Sequence, residues 1–320
     1  MIRPLISVII PIYNVAEYLS ECLESILSQQ EQRFEVIAVN DGSTDESRTI
    51  LGRYADNDSR IRIVDQQNMG LAGARNAGVA HSSGRYICFV DSDDFVSDAY
   101  LSTMLGNAEK FGADVSICGR ATYSGGVLSH QVRAGFTNRL LNSVEAVRAL
   151  NSYRSFDMSM CGKLFASHIF EGIEFPVGKN SEDQFVCYKL LVRARRVYYV
   201  DVPLYFYRMR EGSISRGAKV NTFPIEASNS QLAFMRENMP GLVYAAETSC
   251  FFSRVAVYNA FAVRRRSLPR DVATILQNEP MSYLRSVLTN PDISWTKKFQ
   301  ALVFCFARPL YRQIYILRRG

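Results

Sequence analysis

Three carboxylates fall within four residues at Asp91-Ser92-Asp93-Asp94, directly after the apolar run Ile87-Cys88-Phe89-Val90. Ionised carboxylates are costly to bury unless something compensates them. Acids at the end of a buried strand therefore point to a bound cation, and Asp91 and Asp93 match the one or two protein carboxylates that Mg²⁺ takes when phosphates fill its other positions. The competing reading is a capping run for a helix after Phe95, a role that suits Asp94. A second acidic pair, Glu182-Asp183, precedes a helical stripe at Phe185, Tyr188, Leu191 and Val192. Ser181 or Asn180 is expected to cap that helix and to place both acids in its positive first turn. Either acid is then an ordinary helix-start residue or a general base able to take a proton from a hydroxyl. The residues alone do not rank Asp183 above Glu182.

The elements that would carry these acids are legible in order. Leu5 to Ile10 is an apolar, β-branched run stopped by Pro11, which reads as a central strand. Val15, Tyr18, Leu19, Cys22, Leu23, Ile26 and Leu27 follow at helical spacing. Phe34 to Val39 reads as a second strand, and Ser43-x-x-Glu46 after it as a capping box. Ile61 to Val64 and Tyr86 to Val90 read as further strands, separated by a small-residue helix containing Gly70, Gly73 and Gly78. Val115 to Cys118 reads as a fifth. Strands alternating with helices imply an α/β fold with a mostly parallel sheet. Ligands of such sheets sit at the carboxyl ends of the strands. Here those ends carry Pro11-x-Tyr13-Asn14, Asp41 and Asp91-Ser92-Asp93, all on one edge.

Neither GxGxxG nor GxxxxGK[ST] occurs; Gly162-Lys163-Leu164 fails at the last position. A nucleotide bound here must be recognised by side chains. Asp41 could accept from a base N–H and Tyr13 could stack on the ring; alternatively, Asp41 only starts an Asp-Gly turn. Arg208, Arg210 and the following Gly212-Ser213 form either a lid over a diphosphate or a solvated turn, and Lys163 has the same two readings. Beyond residue 120, Tyr123 to Val127 looks like a hairpin turn, 143–150 looks helical, and Val197–Val200 and Leu204–Tyr207 look like two short strands.

A chain of 320 residues can bury a large core. Its seven cysteines contain no CxxC pair, and Cys22, Cys88 and Cys118 sit in apolar segments as reduced core residues. His81, His130 and His168 lack metal-ligand spacing, which disfavours a histidine zinc site. No long apolar run or signal-peptide pattern is present, so a cytoplasmic location is expected. The net charge of +6 is uneven: Arg264-Arg265-Arg266, Arg270, Lys297-Lys298, Arg308, Arg312 and Arg318-Arg319 crowd the last segment. After about 225 the sequence looks helical. Its last stretch repeats Trp295, Phe299, Leu302, Val303, Phe306, Leu310, Ile314 and Leu317 at spacings that predict one helix kinked at Pro309. That helix either docks on the rest of the chain, pairs with another subunit, or lies against an anionic membrane.

Ser7-Val8-Ile9-Ile10-Pro11-Ile12-Tyr13-Asn14, Val39-Asn40-Asp41-Gly42-Ser43-Thr44-Asp45, Gly73-Ala74-Arg75-Asn76-Ala77-Gly78 and Val90-Asp91-Ser92-Asp93-Asp94 occur in that order. The series closely resembles the family 2 glycosyltransferases of GT-A fold, including members that build bacterial surface polysaccharides. Ser181-Glu182-Asp183 and Tyr205-Phe206-Tyr207-Arg208 with Gly212-Ser213-Ile214 extend the resemblance to about residue 215. It implies a GT-A domain over 1–220, divided into a nucleotide-sugar half (1–119) and an acceptor half (120–220); the basic helical region over 221–320 carries no family motif and is read from its own charge and spacing. The resemblance also implies that Pro11, Tyr13 and Asn14 line the base and ribose pocket, that Asp41 contacts the base, and that Arg75 lies near base or diphosphate. On the same resemblance, Asp91, Ser92 and Asp93 would form the DxD motif, with Asp93 the metal ligand and Asp91 on the ribose or acting through water, and Asp183 would be the catalytic base, with Glu182 orienting it or binding acceptor. The resemblance further implies Mg²⁺ or Mn²⁺ as cofactor, a nucleotide-diphospho-sugar donor (UDP favoured) and a glycan or lipid-linked hydroxyl as acceptor; with the basic last segment, the inner face of the cell membrane is the expected place. A nucleotidyltransferase would need a lysine- and glycine-rich loop after the first strand, which Pro11-Ile12-Tyr13-Asn14 does not supply. A non-enzymatic basic adaptor is the third reading; no RNA-binding aromatic motif accompanies the arginines, so nucleic acid is not an expected partner.

Overall fold

The computed structural model describes residues 4–130, 138–210, 220–264 and 266–317. The chain divides into two compact units, one formed by 1–146 with 158–211 and the other by 147–157 with 212–320.

The strands are β1 (Ile6–Ile12), β2 (Phe34–Asp41), β3 (Ile61–Gln66), β4 (Tyr86–Phe89), β5 (Phe95–Val96), β6 (Val115–Ser124), β7 (Val127–Ser129), β8 (Arg139–Leu141), β9 (Lys163–Ala166) and β10 (Val197–Arg208). The helices of the first unit are α1 (Ala16–Leu27), α2 (Ser47–Asn57), α3 (Gly70–His81), α4 (Tyr100–Phe111), the start of α5 (Ser143–Asn151), and α6 (Asp183–Arg193). One sheet runs β3-β2-β1-β4-β9-β6-β10-β5. β3, β2, β1 and β4 are mutually parallel, so the carboxyl ends of β1, β2 and β4 share an edge, as their sequence implies. All seven residues of β1 are buried, consistent with a strand covered on both faces. α3 can lie on it because it is built from small residues: a Cβ at Gly78 would sit 2.2 Å from Ile9 Cγ2. Cys22, Cys88 and Cys118 fill the core, as expected.

Several elements depart from the sequence reading. β1 runs through Pro11 to Ile12 instead of stopping before it. The Ile9 carbonyl accepts from Val90, so Pro11, two residues on, turns its missing N–H toward β4 where that ladder has ended at Phe89. The Ser43–Glu46 box does not cap α2; Glu46 itself is the N-cap residue, and Asp45 Oδ1 accepts from the Ser47 N–H instead. Likewise Ser181 takes a positive φ of 59° and Glu182 becomes the N-cap residue of α6. The two short strands expected after 197 are one, β10, whose register slips on either side of Pro203. β9 was hidden in four residues; it lies antiparallel between β4 and β6. The hairpin between β6 and β7 turns at Gly125 and Gly126, both at positive φ.

The second unit contains α7 (Phe223–Asn238), α8 (Val243–Val263), α9 (Arg270–Thr289), α10 (Trp295–Phe306) and α11 (Arg308–Leu317). Phe251, Val255, Val287, Phe304 and Tyr311 make one apolar cluster there. Arg254, fully buried, donates to Glu279, Asn229 and the Cys250 carbonyl, the compensation a buried charge requires. The single kinked helix expected over 295–317 is instead two, broken at Ala307 (φ −136°, ψ 49°). Pro309 stands in the first turn of α11, where an amide would be unsatisfied anyway.

Candidate active site

At the shared sheet edge, β1 delivers Tyr13, 49% exposed, and Asn14, held at φ 49°. The Asn14 side chain accepts from the Thr44 N–H at 2.8 Å, bracing the turn after β2. Pro11 is buried beneath them. Asp41, at the end of β2 and 2% exposed, accepts through Oδ1 from Gln66 Nε2 (2.6 Å) and from the Met69 N–H (2.8 Å). Both of these bonds fall on one oxygen, which braces the chain between β3 and α3.

β4 ends in the acidic run, and its three carboxylates have different surroundings. Asp94 is buried, accepting from the Tyr205 hydroxyl (2.6 Å) and from the Arg208 N–H (2.8 Å). Burial, then the charges of Asp91 and Asp93, push its carboxyl well above the usual range. It is the structural member of the run, tying β4 to β10. Ser92 is buried beside it. Asp93 is partly exposed; Oδ2 accepts from Arg210 Nε at 2.7 Å and its carbonyl from Arg208 Nε at 2.9 Å. Burial and Asp91 raise its carboxyl, with Arg210 opposing. Asp91 Oδ1 accepts from Arg75 Nη2 at 3.0 Å.

Arg75 is the hub of the site. It is buried on α3, between the rings of Phe89 and Phe175, and its Nη1 donates to Glu182. Burial opposes its charge, but Asp91 and then Glu182 outweigh that and hold it cationic. Its Nε is buried without a partner. The next residue repeats the link: the Asn76 amide donates to the Phe175 carbonyl (2.9 Å) and accepts from the Phe175 N–H (2.8 Å). Two successive residues of α3 therefore pin the loop that delivers Ser181-Glu182-Asp183. Glu182 is consumed by Arg75. Asp183, in the first turn of α6, is partly exposed and accepts from the Gln184 N–H.

Lys163 is no lid residue: it is buried at the start of β9, beside the carboxyl end of β4, its ammonium on the Ser159 carbonyl. Arg208 and Arg210, by contrast, are at the acidic run. Arg208 pairs with Glu21 at 2.5 Å and lies over the rings of Tyr18, Phe95 and Tyr123, and Arg210 lies over Tyr18. Gly212-Ser213 lies outside the described residues. Three supporting residues escaped the sequence reading. Tyr18 and Glu21 looked like ordinary positions of α1, although their spacing of three puts them on one helix face. Tyr205, whose hydroxyl also accepts from the Asp91 N–H, stood in a motif of the resemblance but was given no role of its own.

Among the described residues no cluster of three or more metal-ligating side chains is preformed. Asp91 and Asp93 nevertheless fit a divalent ion held chiefly by phosphates, since each commits one carboxylate oxygen to an arginine and neither is fully buried.

The chain matches the family model described as Glycosyl transferase family 2 over residues 7–166. It is 35% identical over 218 residues to the glycosyltransferase GlyA of Streptococcus pneumoniae, a match covering 66% of this chain and 31% of GlyA, so it spans under a third of that relative. It is 30% identical over 274 residues to the putative glycosyltransferase EpsH of Bacillus subtilis, covering 78% of this chain and 75% of EpsH. Among solved structures, that of Staphylococcus aureus TarS 1–349 in complex with UDP aligns over 98% of this chain and 88% of its own, with a TM-score of 0.68 at 20% identity. The fold is GT-A, as the ordered strand-end motifs imply.

Proposed function

The chain belongs to glycosyltransferase family 2, and we propose that it moves a sugar from a UDP-sugar to a hydroxyl of a glycan or lipid-linked acceptor, inverting the anomeric centre. Nucleotide-sugar glycosyltransfer is the activity of that family; the donor, the metal, the acceptor and the residue roles are the proposal.

The observation that carries it is the double link from α3: Arg75 joins Asp91 to Glu182, and Asn76 holds Phe175. A donor-side carboxylate and the start of α6 are thereby held to one buried guanidinium. Tyr13 offers an exposed ring to the base, and Asp41 keeps Oδ2 for a uracil N–H. The structural neighbour TarS was solved in complex with UDP, which makes uridine the first nucleotide to test. Asp93, with Asp91, would hold Mg²⁺ or Mn²⁺, which neutralises charge on the departing diphosphate. Arg208 and Arg210 add fixed positive charge beside that oxygen cluster. Asp183 takes the proton of the attacking hydroxyl. Glu182, spent on Arg75, is not that base; it sets where the first turn of α6 begins. Asp183 and the leaving-group machinery acting on opposite faces of the sugar gives inversion, as in inverting glycosidases. The acceptor half comprises 120–220, and the reaction takes place at the inner face of the cell membrane, where a surface polysaccharide precursor would be.

The test is UDP release from a panel of UDP-sugars with and without Mn²⁺. Metal-dependent release with one sugar, lost in Asp93→Ala, supports the reading. Metal-independent release, or release unaffected by Asp93→Ala, overturns it.

A further inference from the structure

α10 is apolar on two opposite faces. Ala301 and Phe304 are buried in the cluster with Phe251 and Val287. About half a turn round the helix, Trp295 is 84% exposed, Phe299 67% and Phe306 70%, with Leu302 between them. The stripe continues on α11 with Leu310, Ile314 and Leu317, the last 82% exposed. Scattered apolar residues on a surface need no explanation, but seven exposed aromatic and branched side chains recurring at helical spacing over two successive helices do.

The charge around the stripe identifies what covers it. From Ile293 to Gly320 the chain has six Lys or Arg and no Asp or Glu. Lys298 lies 5.3 Å from the Trp295 ring and Arg312 is exposed on α11. Lys297 is different: it turns inward over Tyr153 and Phe252, and burial lowers its pKa. An apolar strip carrying a tryptophan, on a segment whose charged residues are all cations, is the pattern of a helix seated at the headgroup boundary of an anionic bilayer. No helix of the described chain is long and apolar enough to cross one. We propose that the outer face of α10 and α11 docks on the surface of an anionic lipid membrane, with Trp295, Phe299 and Phe306 entering the headgroup region. This gives the membrane location in the proposed function its physical contact, but it rests on the second unit alone and is tested without any sugar transfer.

Trp295 is the chain's one tryptophan, so its fluorescence reports on this face directly. The full-length protein is titrated with vesicles of phosphatidylcholine containing 30% phosphatidylglycerol, with pure phosphatidylcholine vesicles, and with anionic vesicles bearing brominated chains. The expected result is a blue shift and bromine quenching with the anionic vesicles and binding about tenfold weaker or less on the neutral ones. Phe299→Ser with Phe306→Ser should weaken sedimentation with anionic vesicles by about tenfold or more, while circular dichroism and UDP release stay as in the wild type. A tryptophan emission unchanged by anionic vesicles overturns the proposal. So does a blue shift that follows protein concentration without lipid, which would make the face a contact between two copies. Vesicle docking without UDP release would leave this proposal standing and remove the transfer reading; the converse would do the reverse.

Discussion

Arg75 Nη1 and Glu182 Oε1 are ion-paired in the interior of the first unit, 107 residues apart in sequence. The same guanidinium reaches Asp91 with its other terminal nitrogen. A buried cation shared between two acids makes each acid a condition for the placement of the other.

Removing one partner of a buried ion pair leaves the other charge uncompensated, at a cost of roughly 3–5 kcal/mol. Glu182→Ala should therefore destabilise the fold by about that much in urea unfolding. Arg75→Met combined with Glu182→Leu should cost less than the sum of the two single changes, because the double variant leaves no lone charge at the Arg75–Glu182 pair, although Asp91 still loses its partner. Additive losses would show that the pair is not coupled.

Asp93 must be ionised to hold a cation, and burial raises its carboxyl. Mn²⁺-supported donor binding should accordingly fall away on acidification at a pH above the ordinary Asp value of about 3.9. Arg210 favours the ionised form, so Arg210→Gln should move that acid limb to still higher pH. A shift to lower pH would contradict the pairing. Donor binding across pH by calorimetry reads both.

Tyr13 is half exposed, and the proposed function puts its ring against the base. Tyr13→Ala should weaken UDP-sugar binding by about tenfold, the worth of one stacked aromatic, with the unfolding midpoint unchanged. Equal affinity would remove Tyr13 from the base pocket.

Gly78 lets α3 approach β1. Gly78→Ala places a carbon 2.2 Å from Ile9 Cγ2 and should cost about 1–3 kcal/mol by overpacking. Because α3 carries Arg75 and Asn76, kcat should fall more than stability alone explains. Chemical denaturation and UDP release at low temperature separate the two.

The strand-end acids were legible because parallel strands force their carboxyl ends to one edge, so Tyr13, Asp41 and Asp91 could be grouped from alternation alone. What alternation could not give was the difference between neighbours. Glu182 and Asp183 are both acids at a helix start, and only the position of Arg75, more than a hundred residues away, separates them. Lys163 sits in a four-residue strand too short to show a period, so its burial was invisible. The cap expected from Ser43 failed for a related reason: its hydroxyl accepts from the distant Asn14 N–H while Asp45 takes the Ser47 N–H, and local pattern does not show a long-range partner. In the last segment, Pro309 announced a disruption, but whether it kinks or divides a helix depends on packing around Ala307.

The most direct measurement is paired donor binding and UDP release for Asp183→Asn. The variant should bind UDP-sugar with Mn²⁺ as the wild type does, yet release UDP about 10²–10⁴-fold more slowly, the worth of a positioned base. Release within a few-fold of wild type, with binding intact, would contradict the assignment of Asp183 as the group that takes the acceptor's proton.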